Sequence, residues 1–328
     1  MAQSNNAPIF IVGMNGSGTT MLAESLGRHP DLYMFPRESK VLPFFIANIG
    51  RYGDLSSPLN LRRLADAIGR AKPYWQANKK SPLILDDSEL EGCDSIGDVV
   101  DRIYRHLATR AGKIRWGEKS PMNVQHIRAI SQHCPDASFI HIIRDGRDAA
   151  QSFHRRWGFS PNHTIWRWKQ VVRDGRSQGA AVGKDRYMEV RYESLTSEPE
   201  SEMRRICRFA GLTFDPVMLG SSMRFMDPRN PSASLGRIVQ NSEKWRTYFD
   251  AQKLAALENL AGRTLADLGY PVQIAGDAEL TSSQRRLLWL CDGVARTRDF
   301  FRQHGLRALP RFLRIVSASR KQWSASRY

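Results

Sequence analysis

Residues 8–20, PIFIVGMNGSGTT, restrict the fold more tightly than any other stretch of this 328-residue chain. PIFIVG is a short apolar run that stops at a glycine, as a buried strand does. The Gly/Ser/Thr stretch after it leads into Thr20 to Arg28, where Met21, Leu22 and Leu26 fall near one face of a helix. Glycines let the backbone fold tightly, so that several N–H groups can point at one anion. The helix N-terminus adds a partial positive charge, and Ser17, Thr19 and Thr20 add hydroxyl donors. The order of strand, glycine loop and helix predicts an anion-binding turn. A plain glycine-rich turn is the alternative.

The rest of the chain repeats the alternation. LYMF (32–35), the IRWGEKSP segment, SFIHIIR (138–144) and RYMEVRYE (186–193) read as further strands. Helical patterns fall at LRRLADAIGRA, 98–111, 122–133, the segment opened by DGRDAAQSFHRRW, EPESEMRRICRFAGL and 251–268, with Gly211 as a C-terminal stop. Residues 50–60 and 78–95 read as loops or insertions. Strands alternating with helices predict an α/β, three-layer fold with a central, mostly parallel sheet covered on both faces. Ligands in such sheets sit beyond the carboxyl ends of the strands, which directs attention to the loops after 8–13 and 138–144.

Charge adds a second constraint. Lys+Arg 49 against Asp+Glu 33 leaves +16, and residues 281–328 alone hold eleven basic residues against Asp292 and Asp299. Such a balance suits an anionic partner, although nothing resembles a nucleic-acid reading motif. No apolar run reaches the ~18 residues of a membrane span, and MAQSNNAPIFIVG lacks the basic start of a signal peptide. Cys93, Cys134, Cys207 and Cys291 have neither zinc-ligand nor redox spacing. They are expected to be reduced and buried, as in a cytosolic protein.

Gly13 to Gly18 matches the G-x-x-x-x-G part of a nucleoside-triphosphate loop, but the lysine that should follow is Thr19. Without that cation, ATP or GTP chemistry is disfavoured. PIFIVGMNGSGTTMLAESLGRHP resembles instead the 5′-phosphosulfate loop of sulfotransferases that use 3′-phosphoadenosine 5′-phosphosulfate (PAPS). The resemblance continues through HPDLYMFPRESKVLP, WGEKSP, FIHIIRDGRDAAQSFHRRW and RYESL, over roughly residues 8 to 270. It is nearest the tyrosylprotein sulfotransferase-like branch and its bacterial relatives. One departure stands out: the family usually has Arg or Lys just before Ser-Gly-Thr-Thr, where this chain has Gly16, preceded by Asn15 rather than Pro. Lys40 and Lys119 are the cations considered as substitutes.

The resemblance implies roles residue by residue. Asn15, Gly16, Ser17, Gly18, Thr19 and Thr20 would hold the 5′-phosphosulfate. Arg144 and Ser152 would hold the 3′-phosphate, with Arg156 close by; a structural cap of Arg144 on Asp145 or Asp148 is the alternative. Tyr192 matches a position near the adenine, though a core aromatic would also fit there. Ser234 and Arg237 fall in a late loop that closes over the nucleotide. Glu38 occupies the position of the catalytic carboxylate, taking the proton of an acceptor hydroxyl, and a raised pKa would help it near neutral pH. Glu38 could also be a cap or a salt-bridged residue beside Arg37 and Lys40. Lys119, and with it Lys40, would stabilise the transferring sulfuryl group; a pairing of Lys119 with Glu118 is its alternative. His141 and His126 read as structural. No His/Cys/Asp cluster suggests a metal, and the implied reaction needs none.

The expectation is thus a PAPS-dependent sulfotransferase domain over 1–274 with a basic helical extension over 275–328. Its acceptor would be a hydroxyl on a sugar, lipid, peptide or small metabolite. In the extension Leu306, Leu309, Leu313 and Val316 would share one helix face and Arg307, Arg311 and Arg314 another, with Pro310 as a kink. That pattern allows a peripheral contact of 281–328 with an anionic membrane, and equally a helix packed on the domain. The setting is expected to be cytoplasmic or membrane-peripheral. Two rivals remain: a P-loop kinase without its usual lysine, and a non-catalytic anion-binding protein at a membrane surface.

Overall fold

The computed structural model describes residues 6–78, 80–220, 241–305 and 309–310. Ser234, Arg237, Leu306, Arg307, Arg311, Leu313, Arg314 and Val316 lie outside the described residues. In chain order the strands are β1 (Ile9–Gly13), β2 (Leu32–Met34), β3 (Arg115–Lys119), β4 (Ser138–Ile143) and β5 (Tyr187–Arg191). The helices are α1 (Thr19–Leu26), α2 (Val41–Ala47), α3 (Pro58–Gly69), α4 (Lys72–Ala77), α5 (Ile96–Arg110), α6 (Ile127–His133), α7 (Gly146–Trp157), α8 (Pro161–Val182), α9 (Tyr192–Ser197), α10 (Pro199–Ala210), α11 (Trp245–Tyr248), α12 (Ala251–Asp267) and α13 (Ser282–His304).

The chain divides into two compact units, Met1–Asp145 with Trp168–Glu243, and Gly146–Arg167 with Lys244–Tyr328. The first contains the sheet. Its five strands run in the order β2-β3-β1-β4-β5, and every pairing is parallel. Alternation along β1 divides the core in two. Ile9 and Ile11 join Leu22, Leu26, Ile140, Val190, Met203 and Ile206 beneath α1 and α10. Phe10 points the other way, stacked 5.4 Å from Phe139 and edge-on to Trp116 at 5.6 Å. Trp116 in turn stacks 4.2 Å from Tyr104 of α5. The sheet is therefore covered on both sides, the arrangement expected from its apolar strands.

α5 begins on a reciprocal cap, Ser95 accepting from the Asp98 N–H while the Asp98 carboxylate accepts from the Ser95 N–H. Several elements depart from the sequence reading. α2, α4 and most of α8 were not expected, and α3 begins inside the expected 50–60 loop, whereas α13 falls within the helical extension expected over 275–328. RYMEVRYE stops being a strand at Arg191, and Tyr192 opens α9.

The second unit is organised around buried Arg147. Its Nη1 donates to Glu258 Oε1 at 2.7 Å and to the Pro271 carbonyl at 2.9 Å, and its guanidinium lies 3.8 Å from the centre of the Trp245 ring. Glu258 Oε2 accepts the N–H groups of Gln273 and Ile274. Both members of this buried pair are thus satisfied, as burial of charge requires. α13 is tied into this unit through Asp292, which accepts from the Ser160 N–H at 2.8 Å and lies 2.6 Å from His163 Nδ1. No described helix is long and apolar enough to cross a membrane. All four cysteines are free. Cys134 and Cys207 are buried as expected, but Cys93 is only half-buried and Cys291 is exposed on the outer side of α13.

Candidate active site

β1 lies at the centre of the sheet, with β3 on one side and β4 on the other. The loop that leaves β1 therefore stands where the strand order reverses, the position from which parallel sheets offer a ligand crevice. Gly18 adopts φ 95° at the start of α1. A Cβ there would sit 2.5 Å from Cδ2 of Tyr192, so both backbone and packing demand glycine. α1 starts with no side-chain cap and no acid in its first turn. Its leading N–H groups are thus left to an anion. Ser17 and Thr19 are buried in the loop, Asn15 and Gly16 are half-buried and Thr20 is exposed. These features fit a phosphosulfate or phosphate group.

Arg144 follows β4 and is buried. Its Nη1 donates to the Gly16 carbonyl at 3.3 Å and its Nη2 to the Asn241 carbonyl at 2.6 Å, while its guanidinium lies 4.5 Å from the centre of the Tyr192 ring. Trp168 Nε1 donates to the Arg144 carbonyl at 2.9 Å, which fixes the strand end. Thus Arg144 brings a positive charge to the loop at Gly16, where the lysines had been considered. Tyr192, expected on a strand, reaches the same place from the first residue of α9, its ring filling the space above Gly18. Ser152 and Arg156 lie on α7 in the second unit. Ser152 is buried, and the Arg156 guanidinium lies 5.9 Å from the centre of the Trp157 ring.

The carboxylate and the two lysines meet. Glu38 sits in the connection from β2 to α2, and Lys119 ends β3. Lys119 Nζ lies 3.2 Å from Glu38 Oε1, and Lys40 Nζ lies 3.1 Å from Glu38 Oε2. Lys40 adopts φ 53° at the head of α2 and is mostly exposed, whereas Lys119 is mostly buried. Burial pushes the Glu38 carboxyl up, but the fields and hydrogen bonds of Lys119 and Lys40 together outweigh it and hold it below its ordinary value. The raised value suggested for a base is therefore corrected: Glu38 is an ionised carboxylate at neutral pH. On α1, burial raises Glu24 against the opposing fields of Lys119 and Arg28. The Lys119 charge thus acts on the helix that follows the glycine loop as well as on Glu38.

A buried group that sequence reasoning missed anchors this triad. Glu118 is 1% exposed. It accepts from Ser39 Oγ at 2.7 Å, from Asn123 Nδ2 at 3.0 Å and from the Tyr104 hydroxyl. The Lys40 N–H donates to Ser120 Oγ at 3.3 Å. The segment that carries Glu38 and Lys40 is therefore bonded on both sides of Lys119 to the end of β3. The buried Glu inside WGEKSP, between Trp and Lys, was the available signal; Ser39, 79 positions away, carried none. His141 is buried in β4, 2.6 Å from the Tyr187 hydroxyl, and burial with the Arg176 charge lowers it to about 3. Its structural reading fits. Among the described residues no group of three or more His, Cys, Asp or Glu could hold a metal.

Comparison with known proteins agrees on one family. The description "Sulfotransferase family" matches residues 8–216. The protein-tyrosine sulfotransferase of Drosophila melanogaster is 24% identical over 245 residues, which are 72% of this chain but 44% of that protein. The nodulation protein NoeE of Sinorhizobium fredii is 23% identical over 312 residues, 82% of this chain and 68% of that protein. The chain thus spans less than half of the fly relative. Among solved structures, the sulfotransferase domain of the Synechococcus PCC 7002 olefin synthase aligns with a TM-score of 0.51 at 25% identity, over 79% of this chain and 97% of that one. The sulfotransferase domain of the curacin biosynthetic pathway aligns at 0.54 and 18% identity, over 81% and 99%, and bears on the fold alone.

Proposed function

The chain belongs to the sulfotransferase family, and we propose that it moves a sulfuryl group from PAPS to a hydroxyl acceptor, with Glu38 as general base. The observation that carries this reading is Glu38 held between Lys119 and Lys40 in the same unit as an uncapped glycine loop and Arg144. The catalytic part is taken as 1–274 and the extension as 275–328. The buried free thiols Cys134 and Cys207 favour a reducing, cytoplasmic setting.

PAPS supplies an activated sulfuryl group on a phosphate leaving group. Gly16, Ser17, Gly18 and Thr19 hold its anionic end through backbone N–H groups and hydroxyls, with Asn15 and Thr20 at the rim. Arg144 adds the charge that Gly16 lacks. The resemblance assigns the 3′-phosphate to Arg144 and Ser152, with Arg156 one helical turn after Ser152 on α7. Tyr192 offers an aromatic face, and the resemblance assigns Ser234 and Arg237 to the nucleotide as well. Glu38 accepts the proton of the acceptor hydroxyl as the new O–S bond forms. The old S–O bond breaks at the same time, and Lys119, with Lys40, faces the negative charge that gathers on the leaving oxygen. The acceptor hydroxyl belongs to a sugar, lipid, peptide or small metabolite.

Transfer from labelled PAPS against labelled ATP, each with and without magnesium, tests the reaction. Metal-independent sulfuryl transfer is the expected result; magnesium-dependent phosphoryl transfer would replace this reading with the kinase. Binding of PAPS with no turnover against a broad acceptor panel would favour the non-catalytic rival.

The charge balance at Glu38 makes a separate prediction. A base must be deprotonated, so the acid limb of kcat/KM lies below the ordinary glutamate value, where Glu38 titrates. Lys40→Met removes one of the two cations that oppose burial. The acid limb is then expected to move to higher pH, on a plateau lowered by the loss of one of the two cations that face the leaving oxygen. A pH profile of kcat/KM for both forms reads this directly, and an unmoved limb would assign the titration to another group.

A further inference from the structure

α13 is amphipathic in an unusual sense, because its polar side is the one that packs. Asp292 bonds to Ser160 and His163, Arg285 lies 5.4 Å from the centre of the Trp166 ring and Arg296 lies 5.8 Å from that of Phe159. At about 100° per residue these three share one side of the helix. The opposite side carries Leu287, Leu290 and Val294, spaced i, i+3 and i+7, and they are 61%, 57% and 69% exposed. Three leucine-class side chains in line on a basic helix are more than the scattered apolar residues of an ordinary surface.

The charges around the row identify what it meets. Arg286 borders it on one side and Arg298 and Arg302 on the other, all three exposed. Long arginine stems reach along apolar surface while the guanidinium stays in water. An apolar row bracketed by arginines matches the boundary between anionic headgroups and acyl chains. Residues 306–328 add Arg307, Arg311, Arg314, Arg320, Lys321 and Arg327 with no acid. Like charge disfavours docking of that segment on the row, and the two share a preference for an anionic surface. We propose that the outward row Leu287, Leu290 and Val294, with Arg286, Arg298 and Arg302, docks this protein on an anionic lipid surface. Resting on the proposed sulfuryl transfer, the enzyme would then meet hydroxyl acceptors at a membrane surface.

Sedimentation of the full chain with vesicles tests this. The wild type is expected to bind mixed phosphatidylcholine–phosphatidylserine vesicles and not vesicles of phosphatidylcholine alone. The Leu287→Gln, Leu290→Gln, Val294→Gln variant should bind the mixed vesicles roughly tenfold or more weakly, because apolar burial contributes alongside charge. Arg286→Gln, Arg298→Gln, Arg302→Gln should weaken binding by about fivefold for each arginine that reaches the surface, and added salt should do the same. Both variants replace exposed side chains, so unchanged thermal melting accompanies the expected result. Wild-type binding by the triple glutamine variant overturns the proposal in favour of the basic segment alone. Failure of the wild type to bind mixed vesicles, with a dimer that the triple variant converts to monomer, overturns it in favour of a second copy of the chain.

Discussion

Glu38→Gln is expected to lower kcat by about 10²–10⁴-fold, the range for removing a positioned general base, while affinity for adenosine 3′,5′-bisphosphate stays near wild type. The substitution is nearly isosteric, and the amide oxygen can still accept from Lys119. What it removes is the ability to take a proton. The two lysines keep the native carboxylate ionised, so wild-type activity at neutral pH is not limited by its protonation state. Glu38→Asp keeps the charge but withdraws it by one methylene, and an intermediate rate is expected. Single-turnover kinetics at saturating donor, with calorimetric binding of the bisphosphate, separates chemistry from binding. A Gln variant with wild-type kcat would show that Glu38 only anchors Lys119 and Lys40.

Gly18→Ala should abolish most donor binding. At φ 95° an L side chain is strained by about 1–2 kcal/mol. In addition, the new Cβ would lie 2.5 Å and 2.9 Å from two atoms of the Tyr192 ring and 3.2 Å from Cδ1 of Ile142. The ring cannot retreat freely, because the Arg144 guanidinium lies over it. The loop must therefore reshape, and the N–H groups at the head of α1 lose their aim. Loss of one or two hydrogen bonds to a charged group, about 1.5–3 kcal/mol each, corresponds to at least a tenfold weaker affinity for the bisphosphate. Adding Tyr192→Ala relieves the contact but not the backbone strain, so only partial recovery is expected. Calorimetry on both variants decides the matter, and unchanged affinity in Gly18→Ala would remove the loop from the binding site.

The parts of the site legible in the sequence are those whose members are neighbours along the chain. β1, the glycine loop and α1 follow one another directly, and their conformational demands are local. β4 and Arg144 were legible for the same reason. Tyr192 was misplaced because the alternation of RYMEVRYE continues through it, while the backbone turns into α9. α13 lies in the expected helical extension, but its start was not read, although Thr281 with Gln284 three positions later forms a reciprocal cap there. The outward Leu287, Leu290 and Val294 have helical spacing as well, but spacing cannot say which side of a helix faces solvent.

The sequence alone determined a parallel α/β fold, the loop able to hold an anion and, through resemblance, the identities of Glu38, Lys119 and Arg144. Only the tertiary structure decided how they act together. Pairing of β2 with β3 aligns Tyr33 with Trp116 and so brings Glu38 to Lys119 across 81 positions. Burial pulls the Glu38 carboxyl one way and two lysines pull it the other, and the balance depends on distances that no local pattern encodes. The same holds for Arg144 at Gly16 and for Glu118 beneath Ser39. Backbone preferences act within a few residues, whereas charge and packing act through space, and space is defined only once the chain has folded.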